Sequence, residues 1–237
     1  VSPANAPARS QMFSLSSNRQ TSSWSMRPWL ALRHAGAEFG CETAALGSFR
    51  AGLAERRRLG SVAGLFPVLR VGDTAIHESL AICETVAERF PDAGLWPDAP
   101  LARARARAFC SEMATGFGAM RSEMSCSLFA RVPDFAPSEP ARRDIDRVFE
   151  IWNECLTASG GPFLFGRASI VDFFFYPVLT RFRTYGVPLN RALERFAETV
   201  EALPAVVALV DEARNAPSIT IYDDYIRKLG GDPDAER

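Results

Sequence analysis

A proline-rich stretch divides the chain into two halves with different sequence patterns. Residues 91–100 contain three prolines and a glycine, which interrupt helices and strands. Before this stretch, short apolar runs alternate with helical periodicity, and after it only helical patterns occur. Such alternation predicts an α/β unit, and a series of helical patterns predicts a helical one. We therefore expect a domain at residues 12–91, a linker at 92–100 and an all-helical domain at 101–230, after a flexible tail at 1–11.

The first half has the pattern of strands that alternate with helices. Apolar runs at residues 12–15 and 41–46 predict two strands, and the periodicity of residues 29–35 predicts a helix between them. Two more runs within residues 66–77 flank a Gly-Asp turn and predict a hairpin. A further helix is expected to begin at residue 78.

Hydroxyl side chains cluster where the first strand gives way to the first helix. Residues 21–29 read Thr-Ser-Ser-Trp-Ser-Met-Arg-Pro-Trp, with Ser25 as the expected N-cap and Pro28 in the first turn. The N–H groups and the dipole of a helix N-terminus favour negative charge, so a thiolate placed there would have a lowered pKa. The alternative is that this stretch is only a loop that caps a helix.

Two patterns in the second half predict its core. Four apolar side chains recur at helical spacing, which is more often helix core than a ligand surface: Met113, Phe117, Met120 and Met124. Ser169 and Asp172 stand three residues apart before an apolar run, which is the pattern of a capping box. The helix that they begin is apolar nearly all round and should be buried.

Composition excludes several classes of function. The formal net charge of −1 lacks the basic excess of a nucleic-acid surface, and no apolar run approaches the length of a membrane span. Only two histidines occur, without a cluster at metal-ligand spacing, so we expect no metal site. Neither a G-x-G-x-x-G motif nor a Walker A lysine is present. The five widely spaced cysteines predict free thiols in a reducing compartment, and we expect a cytoplasmic protein.

Four motifs, in the correct order and at family-like positions, resemble those of the cytosolic glutathione transferases. Residues 22–27 are similar to the S-S-C-S-x-R motif of the zeta class, with Trp24 in place of the cysteine. Residues 22–29 also resemble a bacterial subgroup that carries S-S-W-S-x-R-P-W. Residues 66–69 resemble the family's cis-proline turn, residues 78–82 resemble its E-S-x-A-I motif, and the Ser-x-x-Asp pattern resembles its capping box.

The resemblance covers about residues 12–215 and implies an α/β plus all-α fold. An N-terminal thioredoxin-like domain, in the order β-α-β-α-β-β-α, would precede a C-terminal all-helical domain. The resemblance also implies a homodimer, glutathione as co-substrate, a small hydrophobic electrophile as second substrate and a role in detoxification.

The resemblance assigns the γ-glutamyl end of glutathione to the helix after the hairpin. Glu78 would accept from the α-ammonium group, and Ser79 would hold the carboxylate with its hydroxyl and its backbone N–H. Pro67, if its peptide bond is cis, would leave the backbone of Val68 free to pair with the cysteinyl part of the ligand.

The sulfur of glutathione is assigned to the N-terminus of the first helix. Ser22 or Ser23 would donate a hydrogen bond to the thiolate and lower its pKa, beside Trp24. The glycyl carboxylate needs a cation, for which Arg50 and Arg58 are the candidates.

The electrophile would lie between the two domains, near Trp24, Met113, Phe117 and Arg121. Thr21 stands where many relatives of the bacterial subgroup have Tyr, which leaves the second substrate open. Three functions follow as alternatives: a transferase that adds the glutathione thiolate to an electrophile, a zeta-like glutathione-dependent cis–trans isomerase, and a glutathione-binding protein with little catalysis.

Overall fold

The computed structural model describes residues 13–17, 21–43, 53–61, 64–216 and 218–237. The predicted N-terminal tail and Arg50 lie outside these residues. The domain boundaries expected from the sequence remain a prediction.

The first half forms a small sheet with helices against it. The strand order is β2-β1-β3-β4. β1 (Phe13–Ser17) pairs in parallel with β2 (Phe39–Thr43) and antiparallel with β3 (Val68–Val71), and β4 (Thr74–Ile76) pairs with β3 at the edge of the sheet. This arrangement confirms the predicted thioredoxin-like unit. Its elements are β1 (Phe13–Ser17), α1 (Ser23–His34), β2 (Phe39–Thr43), α2 (Leu53–Arg58), β3 (Val68–Val71), β4 (Thr74–Ile76) and α3 (Ser79–Arg89).

The start of α1 differs from the sequence prediction. Ser22, and not Ser25, is the N-cap, because the Ser22 side chain accepts from the backbone N–H of Ser25. Pro28 therefore lies inside the helix instead of in its first turn. The second strand also begins earlier than expected, at Phe39, where it pairs with Phe13 of β1. The hydroxyl cluster is consequently the helix N-terminus itself.

The second half is helical, as predicted. A short 3-10 helix (Pro91–Ala93) leads into it. The guanidinium of Arg167 then donates to the carbonyls of Gly94 and Trp96 and pairs with Asp98, which ties the connecting segment to the helical half. Its helices are α4 (Pro100–Thr115), α5 (Gly118–Glu123), α6 (Glu139–Ser159), α7 (Ile170–Tyr185), α8 (Arg191–Glu201), α9 (Pro204–Arg214) and α10 (Thr220–Lys228).

The Met/Phe stripe is core, but it does not lie on one helix. α4 ends before Gly116, and Phe117 adopts a left-handed backbone conformation with φ 58° at the N-cap of α5. The stripe is therefore divided between two helices, although all four of its side chains are buried. This packing confirms that the stripe builds the interior of the helical half.

The capping box at α7 is confirmed and fully buried. The Asp172 carboxylate accepts from the backbone N–H and the hydroxyl of Ser169, both at 2.9 Å, and from the backbone N–H of Leu164 at 3.1 Å. Burial raises the pKa of Asp172 to about 6, against the lowering effect of these hydrogen bonds. α7 packs against α1 and α4, so this helix joins the two halves.

No disulfide joins the five cysteines, all of which lie among the described residues. Within the described part of the chain, no helix is both long and apolar enough to cross a lipid bilayer.

Candidate functional site

Two cavities meet at Trp24. The smaller one, which we name the narrow cleft, encloses about 240 Å³ and is lined by Trp24, residues 65–67 and residues 77–79. The larger one, which we name the wide cavity, encloses about 550 Å³ and is also lined by Trp24, together with residues 21–23. Trp24 is thus a wall common to both.

The helical half supplies the other walls of the wide cavity. α5 contributes Arg121 and Ser122, and α7 contributes Arg181. The remaining wall comes from the segment after α5 and from α10, near the chain end. Five side chains form this wall, and all except the aliphatic Ile221 are polar or aromatic. They are Ser125, Cys126, Ile221, Tyr222 and Tyr225.

Ser22 and Ser23 both line the wide cavity at the N-terminus of α1. The Ser22 hydroxyl oxygen accepts from the Ser25 hydroxyl at 3.1 Å, and its own proton remains available for donation. Ser23 is the first helical residue and its side chain is largely buried. The hydroxyl of Ser23 has no hydrogen bond within the described residues. Both hydroxyls therefore lie where the helix dipole favours an anion.

Glu78 and Ser79 form one end of the narrow cleft. Glu78 is the N-cap of α3, and its Oε1 accepts from the backbone N–H groups of Leu80 and Ala81 at 3.0 and 3.2 Å. The Ser79 hydroxyl donates to the other carboxylate oxygen of Glu78 at 3.3 Å. This contact orients a negative charge and a hydroxyl side by side at a helix N-terminus.

The proline turn lies in the narrow cleft, as the sequence places it, but Val68 does not. The peptide bond between Phe66 and Pro67 is cis. Val68 is fully buried, and it is the partner of Ser16 in the sheet. Phe66 and Pro67 line the cleft. The role expected for the Val68 backbone, pairing with the cysteinyl part of the ligand, stays a prediction, because burial of the side chain does not test it.

The structure separates the three residues expected around the second substrate. Arg121 lines the wide cavity. Met113 is fully buried and Phe117 nearly so, in the hydrophobic core, and neither lines the cavity. Met113 lies on α4, and Phe117 lies at the N-cap of α5, after the break that ends α4.

The two arginine candidates for the glycyl carboxylate have different outcomes. Arg50 lies outside the described residues. Arg58 is described, and its guanidinium pairs with Glu42 of β2 at 3.0 Å in an exposed position.

Arg181, Tyr222 and Tyr225 line the wide cavity, although the residues predicted from the sequence do not include them. Arg181 is a charge within an apolar helix and is only 5% exposed, and a charged residue so placed is a recognisable signal of function. Tyr222 and Tyr225 stand three residues apart on α10, a spacing that puts both on one face. Neither signal shows which cavity the residues reach, because that depends on how distant helices pack.

Trp24 is flanked by cations. The guanidinium carbons of Arg27 and Arg121 lie 4.5 and 4.6 Å from the centre of its ring. Arg27 also lies 4.6 Å from the ring of Phe174 on α7. These distances are within the range for cation–π attraction, so the indole is held in place from the core and from the cavity side.

Comparisons with known proteins agree with this architecture. The family model described as the N-terminal domain of glutathione S-transferase matches residues 21–89, and that described as its C-terminal domain matches residues 112–212. Together they match well over half of the 237 residues. No curated protein sequence matches the chain.

Solved structures of the same fold cover most of the chain. A glutathione transferase homolog from Burkholderia, crystallised with bound glutathione, is 21% identical with a TM-score of 0.68, and covers 87% of this chain and 100% of its own. The tau class enzyme of mango, Mangifera indica, is 22% identical with a TM-score of 0.67, and the match covers 93% of this chain and 100% of the mango chain. Glutathione transferase Omega 2C from Trametes versicolor is 21% identical with a TM-score of 0.64, and the match covers 93% of this chain and 99% of the Trametes chain. At such identities these structures show a shared fold, and with the two family models they show that the chain belongs to the glutathione transferase family.

Proposed function

We propose that the chain conjugates glutathione to a small electrophile, with glutathione in the narrow cleft and the electrophile in the wide cavity. The observation that carries this proposal is the common wall at Trp24. It brings the hydroxyls of the α1 N-terminus to the boundary between a cleft suited to a peptide-like ligand and a separate cavity. A thiol at that boundary faces the second substrate directly.

The γ-glutamyl end of glutathione binds at Glu78 and Ser79. Glu78 offers its carboxylate to the α-ammonium group, and Ser79 lies at the N-terminus of α3, which favours the α-carboxylate. The cysteinyl part lies along residues 65–67, which line the cleft, and the backbone of Val68, the next residue, is its expected pairing partner.

The sulfur lies at Ser22, with Ser23 as the alternative. Ser22 already accepts from Ser25, so its own hydroxyl is oriented and polarised towards an acceptor. A hydrogen bond from this hydroxyl stabilises the thiolate and lowers the pKa of the thiol. Deprotonation at neutral pH then supplies the nucleophile.

A second candidate is a zeta-like cis–trans isomerase. Arg121 and Arg181 line the wide cavity, and this favours an anionic substrate of the kind that such an enzyme holds. Catalysis without consumption of glutathione would distinguish this reaction from conjugation. A protein that binds glutathione with little catalysis is the third alternative.

The test is a stoichiometric assay. The protein is incubated with glutathione and 1-chloro-2,4-dinitrobenzene, and free thiol, thioether product and chloride are counted. We expect one thiol lost for each thioether and each chloride formed. Glutathione binding without thioether formation, for this electrophile and a panel of others, would contradict a transferase.

The homodimer, the cytoplasmic location and the role in detoxification remain predictions from the resemblance and from cysteine usage. Size-exclusion chromatography with light scattering measures the first directly, and a mass of twice 26.0 kDa is expected.

A further inference from the structure

The described arginines near the wide cavity differ from many of those at the surface. Many of those at the surface pair with a carboxylate: Arg105 with Glu154, and Arg147 with Glu112 at 2.8 Å. Arg27, Arg121 and Arg181, around the wide cavity, have no carboxylate partner among the described residues. Arg27 and Arg181 are buried, and Arg121 is half-buried.

Within the described residues, the hydrogen bonds of Arg121 and Arg181 all go to backbone carbonyls. Nη1 of Arg121 donates to the carbonyls of Ala114 and Gly116, at 3.1 and 3.4 Å. Arg181 donates to the carbonyl of Met124 from Nε and to that of Pro177 from Nη1. Each guanidinium therefore keeps an Nη2 group without a partner in the described part of the chain. Both side chains line the wide cavity, where these donors can meet a ligand.

Arg27 reinforces the positive charge from behind Trp24. It is 1% exposed, and its Nε and Nη1 atoms are buried without a hydrogen-bond partner in the described residues. Burial, and then the positive charges of Arg181 and Arg121, lower its pKa to about 9. Burial is the largest cause, and the second cause shows that the three guanidinium groups lie close enough to repel one another.

No acidic side chain of the described residues lines the wide cavity. The carboxylate of Glu123, at the end of α5, accepts from the backbone N–H and hydroxyl of Ser138. The hydroxyls around the cavity add neutral donors. An anion entering the cavity would therefore meet two guanidinium groups and several hydroxyls without repulsion from a carboxylate.

We propose that the wide cavity selects an electrophile that carries a carboxylate, held by the free N–H groups of Arg121 and Arg181 with the apolar part of the molecule against Trp24. The inference builds on the proposed conjugation reaction and replaces the hydrophobic electrophile expected from the resemblance with an anionic one. In the reaction, the glutathione sulfur forms a bond to the carbon that carries the leaving group. The bond to that group breaks with its electron pair, chloride departs in the case of an aryl chloride, and the thiol proton passes to solvent.

Binding alone tests the anion site. Titration calorimetry without glutathione compares the unreactive probes 3,5-dinitrobenzoate and 3,5-dinitrobenzamide, which differ mainly in charge. The wild type should bind the benzoate about 10- to 100-fold more tightly, the range for a hydrogen bond to a charged group. Equal affinities in the wild type would overturn the inference without any variant.

Matched variants locate the site. Arg121→Met should remove most of the preference for the benzoate, whereas Arg121→Lys, which keeps the charge, should retain a large part of it. Arg143→Met is the control, because Arg143 is exposed and pairs with Glu139 on α6. A preference that persists in a folded Arg121→Met protein, or that Arg143→Met abolishes equally, would overturn the assignment to the wide cavity.

Catalysis then separates this inference from the proposed function. The reactive probes are 4-chloro-3,5-dinitrobenzoate and its carboxamide, each rate divided by the uncatalysed rate with glutathione. We expect a larger kcat/KM enhancement for the benzoate. If neither probe is conjugated while the benzoate still binds preferentially, the result contradicts the proposed transferase function and supports the anion site. If both probes are conjugated with equal enhancement, the result supports the transferase function and contradicts selection of a carboxylate by the wide cavity.

Discussion

The narrow cleft and the wide cavity share Trp24 but differ in charge and in origin. The cleft presents one carboxylate, from Glu78, at a helix N-terminus, and is built from residues 65–79 together with Trp24. The wide cavity presents two arginines and is assembled from segments far apart in the chain, α1, α5, α7 and α10. The cleft therefore suits one ligand with both an ammonium and a carboxylate, whereas the cavity suits an anion.

From this contrast we expect specificity for the second substrate to depend on the wide cavity. Short motifs encode the cleft, so chains of this family can share it. The cavity depends on single side chains placed by helix packing, so it can change without disturbing the cleft. Variants on the two sides should consequently separate effects on glutathione from effects on the second substrate.

Ser22→Ala should have the largest effect on catalysis. Loss of one positioned donor to the thiolate should slow conjugation about 10- to 1000-fold and raise the pKa of the bound thiol. The pH–rate profile of kcat reports that pKa. Ser23→Ala is the matched control, with a smaller effect expected. Full activity in both variants would remove the hydroxyls from the mechanism.

Asp172→Ala should destabilise the helix that carries Arg181 into the wide cavity. It leaves three buried donors without an acceptor, which should lower the free energy of unfolding by about 3 kcal/mol. Asn190→Ala, at the exposed N-cap of α8, is the control and should cost about 1 kcal/mol. Urea denaturation measures both. Similar costs for the two variants would contradict the special burial of the capping box.

The same pair of variants carries a pH dependence. The pKa of Asp172 is raised to about 6 in the folded protein, above that of an unfolded Asp. The stability that this group contributes is therefore complete at low pH and is lost as the pH rises through 6. The destabilisation by Asp172→Ala should widen as the pH falls from 6 towards 4, whereas that by Asn190→Ala should stay constant.

Glu78→Gln should weaken glutathione binding and spare the cavity. A neutral amide still accepts from the N–H groups of α3 but loses its charge, so the KM for glutathione should rise about 10- to 100-fold with kcat nearly unchanged. Glu88→Gln, an exposed change at the far end of α3, is the control. A fall in kcat with unaltered KM would place Glu78 elsewhere in the reaction.

Ser25→Ala should have the smallest effect. It removes the hydroxyl that donates to Ser22 at 3.1 Å, a contact worth about 1 kcal/mol, and should slow conjugation about 5-fold. The effect should vanish in the Ser22→Ala background, because the hydroxyl that Ser25 orients is then absent. Additive losses in the double variant would show that Ser25 acts on something other than Ser22.

The sequence predicted more of the cleft than of the cavity, for a physical reason. The cap at Glu78, the proline turn and the capping box at Asp172 are local, so the residue types and their spacing determine them. The burial of the Val68 side chain accompanies the pairing of β3 with β1, which a motif does not contain. The N-cap is Ser22 and not the expected Ser25, because Pro28, which is typical of a first turn, lies inside this helix.

Met113 and Phe117 show how little local periodicity predicts about the cavity walls in the helical half. Their helical spacing fits a single long helix, but the left-handed conformation of Phe117 divides it, and both side chains are buried in the core. Arg181 reaches the cavity only because α7 packs against α1. Such long-range packing is not visible in local periodicity.

A crystal structure with glutathione soaked into the protein tests the central claim most directly. The account predicts glutathione in the narrow cleft, with its α-ammonium at Glu78, its sulfur within hydrogen-bonding distance of the Ser22 hydroxyl, and the wide cavity left open beside the sulfur. Glutathione in the wide cavity, with its carboxylates on Arg121 and Arg181 and the cleft empty, would contradict it.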